Sequence, residues 1–368
     1  MVKKQAKFDP KKPANDLARL PPAFNFETTT ILKQLTKSAV ALAELKGLVN
    51  TLPNPYILLN ALILQEAEAS SEIENVVTTQ DKLYQALTSK NQSNIDPATK
   101  EVLRYREALL HGLKIIEKKG FLSTNCIVEI QSILEENSAG IRKLPGTTLS
   151  NNRTGKIIYT PPDNHANIVK LLKNLEDYLN IDDDDLSALI KVAVQHYQFE
   201  SIHPFYDGNG RTGRIMNILY LILKGQIEQP ILYLSKYIID NKANYYSSLQ
   251  GVRTENLWNE WVLFILQGIE SAASETKIQI NKINKLFTKT ENLIKKNNAK
   301  SYNKELLELL YEQPYSKIEY LTKRLGISRI TATKYLQNLV DMDILEVKQV
   351  WKENLYINKE LFKLLKTV

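Results

Sequence analysis

The residues best able to do chemistry lie together in one stretch of the chain, "SIHPFYDGNGRTGR". Its glycines follow the pattern G-x-G-x-x-G and are Gly208, Gly210 and Gly213. A glycine-rich turn that opens a helix presents free backbone N–H groups and the positive end of the helix dipole, so it suits an anion. Arg211 and Arg214 follow three residues apart, on the first turn of that helix, where two guanidinium groups can clamp phosphate oxygens. The pattern therefore predicts a polyphosphate site.

Polar residues around the glycines extend this prediction. Asp207 offers hard oxygen ligands beside the anion site, which suits a Mg²⁺ ion that bridges phosphates. His203 titrates near neutral pH and can take a proton from an incoming hydroxyl group. Asn209 adds a side-chain donor to the anion cradle. A base, a metal ligand, an anion cradle and a cationic clamp together predict phosphoryl or nucleotidyl transfer, catalysed by positioning and electrostatics.

Other sites with a similar pattern fit the sequence less well. A dinucleotide-binding turn needs a strand before the glycines, whereas "LIKVAVQHYQFES" has a helical period and no β-α-β alternation surrounds it. "GNGRTGR" also lacks the G-K-[ST] ending of a Walker A loop. His196, seven residues before His203, could join a metal cluster with Asp207, but its place on a helical face predicts a core residue behind the site.

The elements that must position this stretch are predominantly helical. Apolar residues recur at helical spacing up to about residue 136 and again on both sides of the glycines. "IMNILYLILK", which follows the glycines, predicts a very apolar helix at the centre of the core. The one clear break, "GIRKLPGTTLSNNRTGKIIYTPPDN", predicts a β-hairpin with a loose turn at Asn151 and Asn152. Beyond the core, "NYYSSLQGVRTENLWNEWVLFILQGIES" is interpreted as one helix.

The last part of the chain predicts a separate small domain. Three helical segments, "NKELLELLYEQ", "SKIEYLTKRLGI" and "SRITATKYLQNLVDMDIL", precede a strand pair in "EVKQVWKENLYIN". Gly326 supplies a tight turn, and Ser328 is the predicted N-cap of the third helix. Three helices and a β-wing in this order resemble the winged helix-turn-helix.

Bulk composition describes an ordinary globular protein, since 43% of the 368 residues are hydrophobic and 24% are charged. The single cysteine, Cys126, excludes a disulfide framework and a cysteine-rich zinc site. The first residues are basic without an apolar core region, and no window approaches the roughly 18 apolar residues of a membrane span. The sequence thus predicts a cytoplasmic protein without a membrane partner.

The net charge of +7 is unevenly distributed. Residues 271–368 contain 18 Lys and Arg against 11 Asp and Glu, and the rest of the chain is balanced. This surplus suggests a nucleic-acid or acidic partner for the C-terminal part. DNA binding through residues 301–368 is one hypothesis, in which the cations facing phosphates are Lys323, Arg324, Arg329 and Lys334. Homodimer formation or docking of another protein is the alternative.

The stretch from His203 to Arg214, "HPFYDGNGRTGR", resembles the signature of Fic-domain proteins, H-P-F-x-[D/E]-G-N-G-R-x-x-R, and matches it without a gap. This family is α-helical and typically transfers AMP from ATP to a hydroxyl group of a target protein. The resemblance implies that His203 is the general base and Asp207 the Mg²⁺ ligand. The implied ATP cradle consists of Gly208, Asn209, Gly210, Arg211, Thr212, Gly213 and Arg214, with both arginines on the distal phosphates. The predicted hairpin, at about residues 145–160, matches the family's flap, which holds target backbone by β-augmentation.

Two further segments resemble parts of the same family. "SSEIEN", from Ser70 to Asn75, resembles the inhibitory helix motif [S/T]-x-x-x-E-[G/N], whose glutamate, here Glu74, pairs with the second signature arginine. A carboxylate there occupies the place of the γ-phosphate and repels the triphosphate. Tyr245 and Tyr246 resemble the tyrosine pair that lines the adenine pocket, although Arg253 replaces an asparagine of the family.

The sequence thus predicts a mainly α protein with a Fic/Doc helical core, a hairpin flap and a C-terminal winged helix. The predicted division is an N-terminal helical region at 1–100, a Fic core at 101–270, a linker helix at 271–300 and a winged helix at 301–368. The predicted activity is AMP transfer from ATP to a Ser, Thr or Tyr hydroxyl of a protein, including the chain itself, with Glu74 as inhibitor. Removal of AMP, with Glu74 orienting a water, remains an alternative, as does transfer from another nucleotide. Kinase-like relatives of the Doc type carry a lysine at the second glycine, so Gly210 favours AMP transfer.

Overall fold

Helices dominate the computed structural model of the chain, which describes residues 8–49, 56–88, 94–151, 154–181, 185–298, 303–350 and 353–366. The helices before the hairpin are α1 (Thr29–Val49), α2 (Tyr56–Ile73), α3 (Gln80–Thr88), α4 (Pro97–Lys119) and α5 (Thr124–Glu135). Those after it are α6 (His165–Asn180), α7 (Ala188–Ile202), α8 (Asn209–Leu223), α9 (Leu234–Asp240), α10 (Lys242–Glu255) and α11 (Trp258–Asn298). The predicted mainly α class is confirmed. Among the described residues, no helix is both long and apolar enough to cross a membrane.

Two helices form the centre of the core. Every residue of α7 from Leu189 to Ile202 is buried, and α8 is buried from Arg211 to Leu221. A helix buried on all sides needs neighbours on all sides. Helix α7 contacts α1, α6, α8 and α11, whereas α8 contacts α2, α4 and α5 as well as α7. The prediction that "IMNILYLILK" forms a central helix is therefore correct, and this helix is α8.

The predicted β-hairpin is present between α5 and α6. Strand β1 (Leu149–Ser150) pairs antiparallel with β2 (Ile157–Tyr159). The backbone N–H of Gly155 donates to the carbonyl of Asn151 at 2.8 Å and helps to close the turn. The other residue of the predicted turn, Asn152, lies outside the described residues.

Two continuous helices cross predicted boundaries, and one predicted helix is interrupted. The segment interpreted as one helix after residue 241 is two, because Asn256 adopts the left-handed conformation (φ 58°) and ends α10. Only a small penalty opposes that conformation in asparagine. Helix α11 then runs for 41 residues and crosses the predicted boundary at residue 270, while α4 crosses the one at residue 100.

The C-terminal region contains the three predicted helices and the predicted strand pair. They are α12 (Lys304–Glu312), α13 (Ile318–Leu325), α14 (Arg329–Asp341), β4 (Leu345–Val350) and β5 (Glu353–Asn358). Ser328 caps α14 as predicted, since its hydroxyl accepts from the N–H of Thr331 at 3.1 Å. Two elements escaped sequence analysis, namely β3 (Tyr315–Ser316), which adds to the edge of β5, and the final helix α15 (Lys359–Lys366). The winged-helix interpretation of this order stays a prediction.

The C-terminal region packs directly on α2 and α3. The rings of Tyr84 and Tyr315 stack with centroids 5.7 Å apart and planes only 6° from parallel. The amide of Gln65, on α2, donates to the carbonyl of Leu365, on α15, at 2.7 Å. These contacts attach the last part of the chain to the helix that leads to Glu74.

Candidate active site

The loop between α7 and α8 carries the residues predicted to do chemistry. Helix α7 ends at Ile202 because His203 adopts a left-handed conformation (φ 48°) and donates its N–H to Phe199 at 2.9 Å. Helix α8 begins after Gly208, which is also left-handed (φ 77°). The loop therefore holds His203 at the C-terminus of α7, in the segment that leads to the N-terminus of α8.

His203 lies in surroundings that keep its imidazole neutral. Burial lowers the pKa of His203 to about 3, and the cationic side chains of Arg142 and Arg253 act in the same direction. The carboxylate of Glu74 opposes them but does not reverse the shift. Among the described residues, Nδ1 of His203 has no hydrogen-bond partner. An uncharged imidazole is the form that can accept a proton.

The anion cradle is formed by the first turn of α8. The first N–H groups of a helix lack intrahelical acceptors, so those at Asn209 and Gly210 point out of the helix end. The side chain of Asn209, predicted as an anion donor, instead exchanges two hydrogen bonds of 2.9 Å with the backbone of Phe205. Asn209 therefore braces the loop that leads into the cradle.

Two glycines of the signature lie close to carboxylate groups at the cradle. A Cβ on Gly208 would lie 2.5 Å from a carboxylate oxygen of Glu135, in a backbone conformation that side chains seldom adopt. A Cβ on Gly210 would collide with the carboxylate of Glu74. The chain thus has no room for a side chain at Gly210 while Glu74 lies over the cradle.

The predicted pair of Glu74 and Arg214 is formed. Arg214, only 2% exposed, donates from Nη2 to Glu74 Oε1 at 2.8 Å and from Nε to the Ser70 hydroxyl at 2.7 Å. Burial alone would raise the pKa of Glu74, but the charge and hydrogen bond of Arg214 outweigh it and hold that pKa below its ordinary value. Glu74 is therefore ionised at neutral pH. Asn75, exposed and left-handed (φ 66°), turns the chain directly after it.

Arg211 differs from its expected place on the distal phosphates. Its guanidinium group is 4% exposed and binds two carboxylates, Glu101 of α4 and Glu135 of α5, the latter at 2.7 Å. A guanidinium group already paired with two carboxylates has few donors left for a phosphate. In this structure Arg211 therefore anchors the start of α8 to two neighbouring helices.

Asp207 is exposed beside the cradle, and its side chain fits a magnesium ion. Its Oδ1 accepts the N–H of Gly208 at 2.7 Å, whereas Oδ2 accepts no hydrogen bond from the described residues. No group of three or more His, Cys, Asp and Glu side chains that could hold a metal occurs in the described part of the chain. Mg²⁺ suits such a site, because it keeps several waters and uses one or two carboxylates together with substrate phosphates.

The predicted adenine pocket contains one available tyrosine and one buried tyrosine. Tyr246 is 46% exposed, and its ring lies edge-on to that of Tyr245 at 5.1 Å. Tyr245 is buried and shares a hydrogen bond of 2.8 Å with Nε2 of His196, whose ring stacks on Trp261. His196 is thus the core residue that its helical position predicted. Of the two tyrosines, Tyr246 is the one exposed enough to contact an adenine ring.

The other two predicted cradle residues, Thr212 and Gly213, are buried where α8 packs on α7. Thr212 Oγ1 has no hydrogen-bond partner among the described residues. A Cβ on Gly213 would lie 3.1 Å from the Phe199 ring, so this glycine lets the two helices approach closely. Both residues therefore shape the packing behind the cradle.

Sequence reasoning missed several charged residues at the site, namely Glu101, Glu135, Arg142 and Glu200. Burial raises the pKa of Glu200 to about 7, and its Oε1 has no partner among the described residues. Its position three residues before His203, in the last turn of α7, is a signal that could have identified it. The other three come from distant parts of the chain and carry no local signal.

Three family models match successive parts of the chain. "Fic/DOC family N-terminal" matches residues 32–114, "Fic/DOC family" matches residues 121–221, and "Protein adenylyltransferase SoFic-like, C-terminal domain" matches residues 286–361. Together they cover more than two thirds of the 368 residues. The middle match includes His203 and the whole cradle.

Curated relatives resemble parts of the chain. "Protein adenylyltransferase fic-1" of Caenorhabditis elegans is 29% identical over 135 residues, which are 36% of this chain and 24% of that protein. "Protein adenylyltransferase Fic" of Drosophila willistoni is 39% identical over 90 residues, which are 24% of this chain and 17% of that protein. The matched region thus spans no more than 24% of the length of either relative.

Solved structures share the fold over a larger part of the chain. A Fic family protein from Desulfovibrio desulfuricans G20 has a TM-score of 0.59 at 18% identity, over 91% of this chain and 98% of that one. Fic-1 from Caenorhabditis elegans has a TM-score of 0.53 at 19% identity, over 68% of this chain and 74% of that one. Likeness at such identities concerns the fold. With all three family models and the full signature, it leads to one conclusion: the chain belongs to the Fic/DOC family.

Proposed function

We propose that the protein transfers AMP from ATP to a hydroxyl group of a protein, and that Glu74 inhibits this activity. The observation that carries this proposal is the position of His203 in the loop that leads to the N-terminus of α8, where Glu74 binds Arg214 at 2.8 Å. Relatives named protein adenylyltransferase support the class of reaction. The target protein is a substrate by this proposal, and the chain itself is one candidate target.

The residues of the loop can divide the reaction between them. His203 takes the proton of the target hydroxyl, whose oxygen forms a bond to the α-phosphorus of ATP. The bond from that phosphorus to the bridging oxygen breaks, so the products are AMP esterified to the protein and pyrophosphate. The N–H groups at the start of α8 stabilise the negative charge on the phosphates. Asp207 would hold a Mg²⁺ ion, which supplies positive charge to the phosphates when bound.

Glu74 is well placed to oppose productive ATP binding. Its carboxylate lies against Gly210, at the cradle, and occupies the cationic group of Arg214. A phosphate that needs Arg214 has to displace Glu74, because two anions cannot share one guanidinium group without repulsion. The Glu74 side chain is 37% exposed, so it can leave through solvent without unfolding α2.

The experiment compares ATP labelled at the α- or the γ-phosphate, incubated with the full-length Glu74→Gly protein and Mg²⁺. Label from the α-phosphate should appear on protein, and label from the γ-phosphate should not. The same variant with His203→Ala should remain folded by circular dichroism and give no label. A His111→Ala control, at an exposed histidine paired with Glu129, should label normally.

Each rival activity gives a different result in this experiment. Transfer of γ-label would indicate a kinase of the Doc type, although the chain has Gly210 where that class has a lysine. Release of AMP from pre-labelled protein, lost in Glu74→Gly, would indicate removal instead of transfer. No label from ATP, together with label from another nucleotide, would replace ATP as the substrate.

A second candidate function concerns residues 301–368, which we propose to form a winged helix that binds DNA. The exposed residues of α14 include Arg329, Ile330, Thr333, Lys334 and Gln337, and one acidic residue, Asp341, ends this face and accepts from the Gln337 amide at 2.9 Å. Ile330 is 83% exposed, and neither cation forms an ion pair with the described residues. Arg324, a predicted phosphate contact, pairs instead with Glu312 at 2.8 Å. A helix of this type can lie in the major groove.

Binding to mixed-sequence duplex DNA, followed by fluorescence anisotropy at several salt concentrations, tests this second function. The full-length Arg329→Gln/Lys334→Gln protein should bind more weakly, with a salt slope lower by about two charges. A matched Lys33→Gln/Lys37→Gln variant loses the same charge on α1 and should bind normally. Equal binding by both variants would reject α14 as the DNA surface.

A further inference from the structure

Several hydrogen bonds join the base of the β1–β2 hairpin to the catalytic loop. We define the catalytic loop as residues 201–207 and the hairpin root as residues 142–144 and 159–162. The proposed function requires His203, in the catalytic loop, to meet a hydroxyl group. The position of the hairpin relative to the catalytic loop therefore affects where a hydroxyl group lies with respect to His203.

Arg142 makes the central connections. Its guanidinium group donates to the carbonyl of His203 at 2.8 Å and to that of Ile202 at 3.3 Å, and its backbone N–H donates to Pro204 at 2.9 Å. The same guanidinium group donates to the carbonyl of Pro162, on the opposite side of the hairpin root. Arg142 is 1% exposed. One buried side chain thus joins both sides of the root to the last carbonyls of α7.

Arg142 also matches the electrostatics of its position. The carboxyl end of a helix has unpaired carbonyl groups and a partial negative charge, which a guanidinium group complements. His203 is left-handed (φ 48°), a conformation that a side chain adopts at a cost of about 1–2 kcal/mol. Donation to the His203 carbonyl fixes the peptide that follows this residue, and so holds the backbone from which the imidazole projects.

Tyr206 makes a second connection from the loop side. Its hydroxyl oxygen accepts the N–H of Lys143 at 3.0 Å and that of Leu144 at 3.1 Å. These two backbone donors lower the pKa of Tyr206 below its ordinary value. The ring is 50% exposed, so its burial does not account for the position of the hydroxyl group.

The β2 side of the root is connected as well. The hydroxyl of Tyr159 donates to the carbonyl of Ser201 at 2.9 Å. The guanidinium group of Arg253 lies 3.9 Å from the centre of the Tyr159 ring and donates to the Ser201 hydroxyl at 3.3 Å. Arg253, where the family pattern has asparagine, therefore contacts the hairpin root.

We propose that Arg142 and Tyr206 are positioning residues, which lock the hairpin root to the catalytic loop so that His203 and the hairpin move as one rigid body. The inference rests on the proposed AMP transfer and describes how the hydroxyl group of the target protein is brought to His203. A target segment held by the hairpin would then arrive at a fixed distance from the imidazole. Loosening the lock should slow the chemical step, since a displacement of about 1 Å can cost about 100-fold in rate. ATP binding should persist, because the cradle and Arg214 contact neither residue.

The test uses full-length protein with Glu74→Gly as background and measures self-labelling from α-³²P-ATP. Arg142→Gln should lower the rate constant at saturating ATP about 100-fold and change the half-saturating ATP concentration by less than about threefold. Arg142→Lys, which keeps the charge and some donors, should recover about tenfold. Tyr206→Phe, which leaves the core untouched, should lower the rate constant about threefold to tenfold. Rate constants within twofold of the background for both Arg142→Gln and Tyr206→Phe would overturn the proposal.

A matched control is Tyr320→Phe, which also removes a hydroxyl group with two hydrogen bonds, to Glu312 and Arg324 in the C-terminal region. It should label at the background rate. If Arg142→Gln is misfolded by circular dichroism, Tyr206→Phe decides the question alone. A fall in melting temperature, ATP affinity and rate together in Tyr206→Phe would mean a merely structural role and would reject the proposal.

Hydrogen exchange separates this inference from the proposed function. In Tyr206→Phe, the amides of Lys143 and Leu144 should exchange at least about tenfold faster than in the parent protein, whether or not AMP transfer occurs. Absence of label in the Glu74→Gly background would contradict AMP transfer to the chain itself and leave this readout intact. Unchanged exchange at both amides would contradict the lock itself.

Discussion

The contact between Glu74 and Arg214 leads to the sharpest prediction: Glu74→Gly should raise AMP transfer. The perturbation removes a carboxylate that lies against the cradle and pairs with a guanidinium group at 2.8 Å. It leaves Arg214 bound to Ser70, so the arginine stays in place for a phosphate. Removal of the competing anion should therefore increase productive ATP binding.

The magnitude follows from the type and exposure of this contact. A hydrogen bond between charged groups contributes about 1.5–3 kcal/mol when it is well shielded. The Glu74 side chain is 37% exposed, so screening by water reduces its share to about 1–2 kcal/mol. Because about 1.4 kcal/mol corresponds to a factor of ten, the open population should rise about 5- to 30-fold. Labelling at low ATP should rise by the same factor.

The assay is the initial rate of protein labelling from α-³²P-ATP, measured well below half-saturation. Glu74→Gln keeps the shape without the charge and should give an intermediate rate. The matched control is Glu72→Gly, because this exposed residue lies in the same helical turn and makes no side-chain hydrogen bond with the described residues. Glu72→Gly weakens the end of α2 by about 0.5–1 kcal/mol, and Glu74→Gly makes the turn that directly follows α2 more flexible.

Two outcomes would refute this reasoning. If Glu72→Gly activates as much as Glu74→Gly, a frayed helix end is responsible and the carboxylate is not. If Glu74→Gly binds ATP with unchanged affinity and labels no faster than the parent protein, Glu74 does not compete with the phosphates. Lower labelling in Glu74→Gly than in the parent protein would instead mean that the Glu74 carboxylate takes part in the reaction.

Three further predictions concern other parts of the structure. Burial lowers the pKa of His196 to about 3 from 6.5, so below pH 6.5 the unfolded chain binds a proton that the folded chain does not. Stability should therefore fall with pH between about 6.5 and 3, and the loss between pH 7.5 and 5, measured by urea unfolding, should be about 2 kcal/mol smaller in His196→Gln. Tyr246→Ala should raise the KM for ATP about tenfold, while Tyr245→Phe, at a buried ring, should leave KM unchanged and lower the melting temperature. Burial raises the pKa of the Cys126 thiol to about 11, so iodoacetamide at pH 7.5 should modify it only in unfolded protein, as mass spectrometry can detect.

Much of the architecture could be predicted because it depends on local patterns. The period of apolar residues identified α8 as a central helix, and the Gly, Asn and Pro clusters identified the hairpin between α5 and α6. The break at Asn256 was missed because asparagine is compatible with both a helix interior and the left-handed conformation that ends α10. Helix α15 was missed although it has a local start signal, because Asn358, which accepts the N–H of Leu361 at 3.2 Å, was interpreted only as the end of a strand.

The roles of the two signature arginines show why sequence alone was insufficient. Arg211 and Arg214 lie on the same short helical segment, and the sequence analysis predicted that both bind phosphate. Tertiary packing brings Glu101 and Glu135 to Arg211 from two other helices, while Arg214 meets Glu74 and Ser70. Such pairings depend on side chains far apart along the chain, so no local spacing encodes them.

The sequence by itself determined the helical class, the loop with His203 and Asp207, and the glycines that open α8, because each depends on residues within a few positions. Only the tertiary structure decided which charges face one another. It places His203 within the electrostatic influence of Arg142 and Arg253, uses Arg211 as an anchor, and attaches the hairpin root to the loop through Arg142. The physical reason is that burial and electrostatic partnership depend on distance in space, which the order of residues does not express.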